Sequence, residues 1–287
     1  MRLARRIRGL PDSVFAVILM IFLSACGSAA RSLPNPTSTG GTDAPIASSA
    51  SPHWVLTWSD EFNSQASLAK WSFATGGGGW GEHQLQWYEA SNAVITTHGY
   101  LAITADNRGN GHTCWYGPCR YTSARMDTLT SFSQAYGRFE ARIKLPPGQG
   151  LWPAFWIEGT NVNQVPWPAC GEVDIIEKNG TKPDELEGFA HMASGQYSAL
   201  SSYPGPLSSA FHVYGIDWTP RGITWTIDGK PYGYMGRFPG WPFDHAFFII
   251  LNLAVGGYWP GPPSASTQFP SRMLVDWIRV YQQAATG

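Results

Sequence analysis

Residues 170–180 read Cys170-Gly-Glu-Val-Asp-Ile-Ile-Glu-Lys-Asn-Gly180 and place three carboxylates, Glu172, Asp174 and Glu177, among β-branched apolar residues. Val173, Ile175 and Ile176 favour a strand. Residues two apart on a strand share a face, so Glu172 and Asp174 point the same way. Glu177 is predicted on the opposite face unless one extra residue near Ile175-Ile176 makes a β-bulge and turns it back. With the bulge counted out, the two glutamates stand four strand steps apart, about 13 Å between Cα atoms. The competing reading is a solvated strand whose acids face water, the ordinary place for acids.

Paired carboxylates on one face suit the hydrolysis of a glycosidic bond. Long side chains leaning together across a curved strand could close on one sugar unit, and retaining enzymes of this kind hold their carboxyls about 5–5.5 Å apart. Composition agrees with a sugar site. Charged residues make up 14% of the 287-residue chain, against about 25% in an average domain. Aromatics also reach 14%, with 14 Trp, 32 Gly and 22 Pro, which predicts short strands, many turns and aromatic surface beyond what a core needs. Exposed indoles can pack on the C–H face of a pyranose. A net charge of −1 gives no reason to expect a nucleic-acid partner.

The amino terminus carries Arg2, Arg5, Arg6 and Arg8 before the apolar run Val14–Leu23, which is short for a membrane span. This is the pattern of a secretory signal. It ends in Leu23-Ser-Ala-Cys26-Gly27, which resembles the bacterial lipoprotein box. That resemblance implies cleavage after residue 25, lipidation of Cys26, and anchoring to the outer face of a bacterial membrane. Residues 26–52 then form a Ser/Thr/Pro/Gly linker, too poor in apolar residues to fold.

Residues 53–283 are predicted to form the folded domain. Tyr136–Leu145 alternates most cleanly, with Phe139, Ala141, Ile143 and Leu145 facing a core and Arg138, Glu140, Arg142 and Lys144 facing out. The stretch Trp54–Trp58 reads as a first strand, and His98-Gly99 and Asp228-Gly229 as hairpin turns. Phe247–Val255 is apolar enough for a central strand covered on both faces, with Asn252 its lone polar residue, bonded in the core or facing a cleft. In Leu151-Trp-Pro-Ala-Phe-Trp156-Ile157, Trp152, Ala154 and Trp156 share a face, as a sugar platform or as core. Gly76–Gly79 reads as a mobile loop. Cys114 and Cys119 favour a disulfide over half a metal site, because no second pair stands at ligand spacing. Cys170 is left as a buried, inert thiol. Strands and turns without a long amphipathic helix predict an all-β, two-sheet sandwich.

Several stretches together resemble the family 16 glycoside hydrolases, in particular bacterial laminarinase-like endo-β-1,3-glucanases. They are Trp58–Phe62, Tyr121–Arg125, Tyr136–Arg142, Trp152–Trp156, Gly171–Glu177, Leu251–Gly257 and Val275–Tyr281, in family order. The acidic motif, in its longer form with a bulge residue, is the specific one. The resemblance implies a jelly roll with a concave substrate cleft, Glu172 as nucleophile, Glu177 as acid/base and Asp174 as the residue tuning the nucleophile. It places Arg125, Trp152, Trp156 and His191 along the sugar subsites. It implies no catalytic cofactor, a structural Ca²⁺ held by Glu61, Gly99 and Asp276, and a β-glucan substrate; a monomer is expected, though the sequence does not fix the oligomeric state. Glu82-His83-Gln84 stands where relatives often carry Asn-Asn-Glu, and His191-Met-Ala-Ser-Gly195 replaces a more usual run. The first departure bears on the glycine loop's contacts and the second on linkage preference. Other polysaccharides (mixed-linkage glucan, galactan), transglycosylation, and a non-catalytic glucan-binding module remain open readings. Lys178 is assigned no role.

Overall fold

The strand Gly137–Lys144 buries Phe139, Ala141 and Ile143 completely, while its four charged residues stay half-buried on the other face. It lies between His212–Thr219 and Ser271–Gln283 and pairs antiparallel with both. Its charges are matched by these neighbours. Arg138 Nε lies 2.6 Å from Asp217 on one side, and Arg142 Nη1 lies 2.6 Å from Asp276 on the other. Gly222–Ile227, Lys230–Gly236, Leu101–Ala105, Ala93–Ile95 and Trp54–Asp60 complete this sheet. Both expected hairpins are present. Asp228 and Gly229 adopt φ of 49° and 73°, the left-handed pair that matches the twist of a two-residue turn.

The structure, a computed structural model, describes residues 53–284. The predicted leader, Cys26 and the linker to residue 52 lie outside the described residues.

A second sheet carries the cleft. Its principal strands are β1 (Arg125–Asp127), β2 (Leu151–Gly159), β3 (Glu172–Glu177), β4 (Glu185–Met192), β5 (Gly195–Ser202) and β6 (Phe247–Val255). They run in the spatial order β5-β4-β3-β2-β6-β1, each antiparallel to its neighbours. β6 is buried along its whole length, as its continuous apolar run requires. Phe247, Ile249, Leu251, Leu253 and Val255 join the core between the sheets. Phe248 and Ile250, on the opposite face, form a smaller cluster with Ala154 and Trp156. Each large side chain so buried contributes about 1.5–3 kcal/mol relative to exposure. The architecture is the two-sheet, all-β sandwich of a jelly roll. Among the described residues, helix is confined to two short 3-10 segments, Gln65–Lys70 and Ala90–Asn92.

Candidate active site

The five-residue spacing from Glu172 to Glu177 is resolved by a bulge. Against β2, Phe155 pairs with Ile176 but Trp156 pairs with Asp174, so Ile175 is the extra residue. Against β4, Asp174 faces Phe189 and Glu177 faces Glu187, three steps on one strand matching two on the other. Ile175 and Ile176 both enter the core. Glu172, Asp174 and Glu177 are thereby delivered to the same side, where all three line one cleft.

A bulge breaks the hydrogen-bond ladder and leaves backbone groups to be satisfied otherwise. Here the opposite sheet supplies the partners. Trp225 Nε1 donates to the Asp174 carbonyl at 2.8 Å, and the Tyr232 hydroxyl reaches the Ile175 carbonyl at 3.4 Å. Gly188, facing the bulge on β4, makes room for them. A Cβ there would sit 2.5 Å from Trp225 Cδ1, closer than real side chains approach. The bulge is thus built jointly by two sheets.

The cleft encloses about 590 Å³ above the face formed by β1–β4 and β6. Trp152 donates its indole N–H to Glu177 Oε1 at 2.7 Å. Trp167 donates to Glu172 Oε2 at 3.1 Å. His191 pairs in register with Glu172, and its Nε2 lies 3.7 Å from Glu172 Oε1 and 3.3 Å from Asp174 Oδ2. The second approach lacks hydrogen-bond alignment, so the buried Asp174 Oδ2 has no partner. Arg125 stacks over the Trp156 ring at 4.7 Å and over Trp80 at 5.3 Å. Asn252 accepts the Trp156 indole N–H at 2.8 Å and lines the cleft, which joins the two readings open for it.

Burial is the first cause raising the pKa of all three acids well above the ordinary carboxylate range. Repulsion from Asp174 comes second for both Glu172 and Glu177, and His191 opposes it in part. Crowded together and largely buried, the acids resist simultaneous ionisation, so the cluster retains a proton to higher pH than free carboxyls do. One ionised and one protonated carboxyl is the division of labour that glycosidic cleavage with retention requires.

Sequence reasoning missed several lining residues. Trp80, Trp167, Trp259 and Phe189 line the cleft from loops and from β4. Glu158 was legible, because the period-two face of Trp152, Ala154 and Trp156 continues to it. It sits opposite Glu172 in register, buried, with its pKa raised first by burial. Cys170 is fully buried and outside any disulfide, its thiol donates to Glu158 Oε1 at 3.8 Å, and its pKa is pushed up to about 12, chiefly by burial. That agrees with an inert role. Cys114 and Cys119 are joined as a disulfide. Lys178 is buried with Nζ 3.8 Å from Glu187 Oε2, and Glu187 also accepts from the Asn179 backbone N–H at 3.0 Å. It is a structural ion pair behind the acids.

One expectation is corrected. The glycine loop is packed rather than free. Gly76 bridges to Tyr88, and a Cβ on Gly77 would lie 2.5 Å from Cys114 Sγ. The side-chain carboxylates of the residues expected to hold calcium are engaged by arginines. Both Glu61 oxygens receive Arg279, at 3.0 and 2.9 Å, and Asp276 receives Arg142 at 2.6 Å. These carboxylates are already neutralised by guanidinium groups.

The cleft and its acids define a carbohydrate-active enzyme class, and comparison with known proteins places the chain within it. Residues 81–279 match the model of glycosyl hydrolases family 16, and the chain belongs to that family. It is therefore a glycoside hydrolase, of a family whose hydrolysis needs no catalytic cofactor. The chain is 36% identical to a beta-glucanase of Rhodothermus marinus over 82% of its own length and 87% of the relative's. It superposes on the laminarinase catalytic domain of Thermotoga maritima with a TM-score of 0.76 and 39% identity, covering 81% of this chain and 99% of that one. It is also 36% identical to the clotting factor G alpha subunit of Tachypleus tridentatus over 84% of its own length, but spans only 36% of that relative.

Proposed function

We propose that the protein is an endo-acting, retaining hydrolase of β-1,3-glucan. The observation that carries this reading is the bulge, which gathers Glu172, Asp174 and Glu177 on one cleft face beside two indoles. The names of the relatives, a beta-glucanase and a laminarinase, support the substrate class. Glu172 attacks the anomeric carbon as the carboxylate, and Glu177 protonates the departing glycosidic oxygen. Water, deprotonated by Glu177, then releases the glycosyl group from Glu172. The Trp167 indole N–H holds one oxygen of the nucleophile. Asp174, without a partner for Oδ2, keeps a negative field or a proton beside Glu172 and favours the protonated form of Glu177. Trp152 and Trp156 form the floor on which the sugar rings lie.

Product analysis on laminarin, curdlan and lichenan tests the reading. Wild type should release oligosaccharides from the two β-1,3-glucans, and Glu172→Gln should lose at least about 10³-fold in kcat with its fold intact. Normal turnover by Glu172→Gln would refute the assignment.

The arginine-rich leader and Cys26 support export and lipid anchoring to the outer face of a bacterial membrane. The Cys114–Cys119 disulfide suits that oxidising location. Fatty-acid labelling lost in Cys26→Ser would test the anchor. A monomer is the state we propose, and molar mass in solution by light scattering would check it.

A further inference from the structure

Beyond the cleft lip lies an aromatic row that the proposed chemistry does not use. Tyr258 is 68% exposed and Trp115 48% exposed, unusual values for large aromatics in so well packed a molecule. His83 stands between them. Its ring centre is 4.2 Å from Tyr258 and 4.8 Å from Trp115, and its Nε2 lies 3.0 Å from the Tyr258 hydroxyl.

The row is rigidly mounted. Trp115 donates its indole N–H to the Gln84 carbonyl at 2.8 Å, and its backbone N–H goes to Gly77 at 2.9 Å. The disulfide closes the loop that carries it. Gly79, with φ of 84°, lies directly under the ring, where a Cβ would come within 3.1 Å of Trp115 Cδ1. The glycine run therefore serves as a bed for an exposed indole. Tyr258 is fixed by its backbone N–H, which donates to the Glu82 carbonyl at 3.0 Å.

The row is also continuous with the cleft. Glu82 and Trp259, each linked to or adjacent to Tyr258, line the cleft themselves. Trp259 stands 5.2 Å from Trp152, the indole bonded to Glu177. A Cβ on the intervening Gly257 would be 3.4 Å from Trp152, which puts the base of the row at the Glu177 end.

We propose that Tyr258, His83 and Trp115 form an outer subsite that stacks the pyranose rings of the same glucan chain as it leaves the cleft beside Glu177. Flat, pre-ordered aromatic faces with polar edges suit the C–H faces of sugars at little entropic cost. A cleft of about 590 Å³ accommodates only a short stretch of polymer, so added contacts outside it raise the affinity for long chains selectively. This rests on the β-glucan reading of the active site.

The test compares kcat/KM on laminarin with that on a short β-1,3-gluco-oligosaccharide for wild type, Tyr258→Ala, Trp115→Ala and the double variant. Tyr234→Ala, an exposed aromatic on the other sheet, serves as control. Tyr258→Ala removes a largely exposed side chain and should fold normally, which thermal unfolding would check. The loss on laminarin should exceed the loss on the short substrate by about fivefold to tenfold in the double variant. It should appear in KM rather than kcat, and the control should show no such difference. Equal losses on both substrates, or none, would overturn the subsite. Should wild type release nothing from laminarin, the activity reading fails instead. Calorimetric binding of laminarin to Glu172→Gln, with and without the double substitution, then decides the subsite separately, since equal affinities would reject it.

Discussion

Gly137–Lys144 and β3 are both strands that gather charged side chains on one face, yet they put charge to opposite uses. On Gly137–Lys144, Arg138 and Arg142 each meet a carboxylate on a neighbouring strand, at half-exposed positions. Water and counter-charges keep that face inexpensive. On β3, three acids crowd one face with only His191 approaching as a counter-charge, and Asp174 Oδ2 is left without a partner. The protein holds charge there at a cost, by locking the strand into a bulge that the opposite sheet supports. Alternation marks a strand, and the way its charges are compensated marks what the strand is for.

The contrast can be broken by experiment. After the nucleophile, the largest effect is expected at Glu177. Glu177→Gln should lower kcat on laminarin about 10²–10⁴-fold. It should also abolish the alkaline limb of the pH profile, because the group that must hold a proton is gone. A retained alkaline limb would assign that limb to another acid.

Next comes the bulge itself. Gly188→Ala inserts a methyl group against Trp225 and should cost about 1–3 kcal/mol of stability by chemical denaturation. It should depress activity even at temperatures where the variant is fully folded. Stability lost with activity per folded molecule unchanged would show that the carboxyls do not depend on this packing.

Trp152→Phe is a finer probe. The Trp152 indole N–H stabilises the ionised form of Glu177 and so lowers its pKa, against the dominant rise from burial. Removing the N–H should raise that pKa further, keep the acid protonated to higher pH, and shift the alkaline limb of kcat/KM upward. A loss of about tenfold in activity is expected near neutrality. A downward shift would contradict the geometry.

The smallest effect belongs to Gly137–Lys144. Arg138→Ala should cost no more than about 1 kcal/mol, since the ion pair is partly exposed, and should leave kcat/KM unaltered.

Much of this was legible in the sequence because it rests on local rules. Period-two alternation gave Gly137–Lys144, and the continuous apolar run gave β6 as a strand buried on both faces. The bulge was readable because five residues separate two acids that must share a face. Trp152 and Trp156 could not be decided locally, since a cleft floor and a core present the same alternation. What escaped depends on contacts distant in sequence. Trp225 bonding to the Asp174 carbonyl spans 51 residues, and Lys178 meets Glu187 across a turn. Gly76–Gly79 misled for a related reason. Glycine signals permissive backbone, and only the position of Trp115 reveals that the space is filled. The arginine partner of Glu61 was out of reach of local reading for the same reason, since Arg279 lies 218 residues away in the chain.

In the proposed mechanism β3 brings two carboxyls close enough for one to attack and the other to donate. Proton NMR of the first product released from laminarin measures this directly, before mutarotation mixes the anomers. Double displacement predicts a newly formed reducing end in the β configuration. An α product would mean that water attacks without a glycosyl-enzyme intermediate, and would contradict Glu172 as nucleophile.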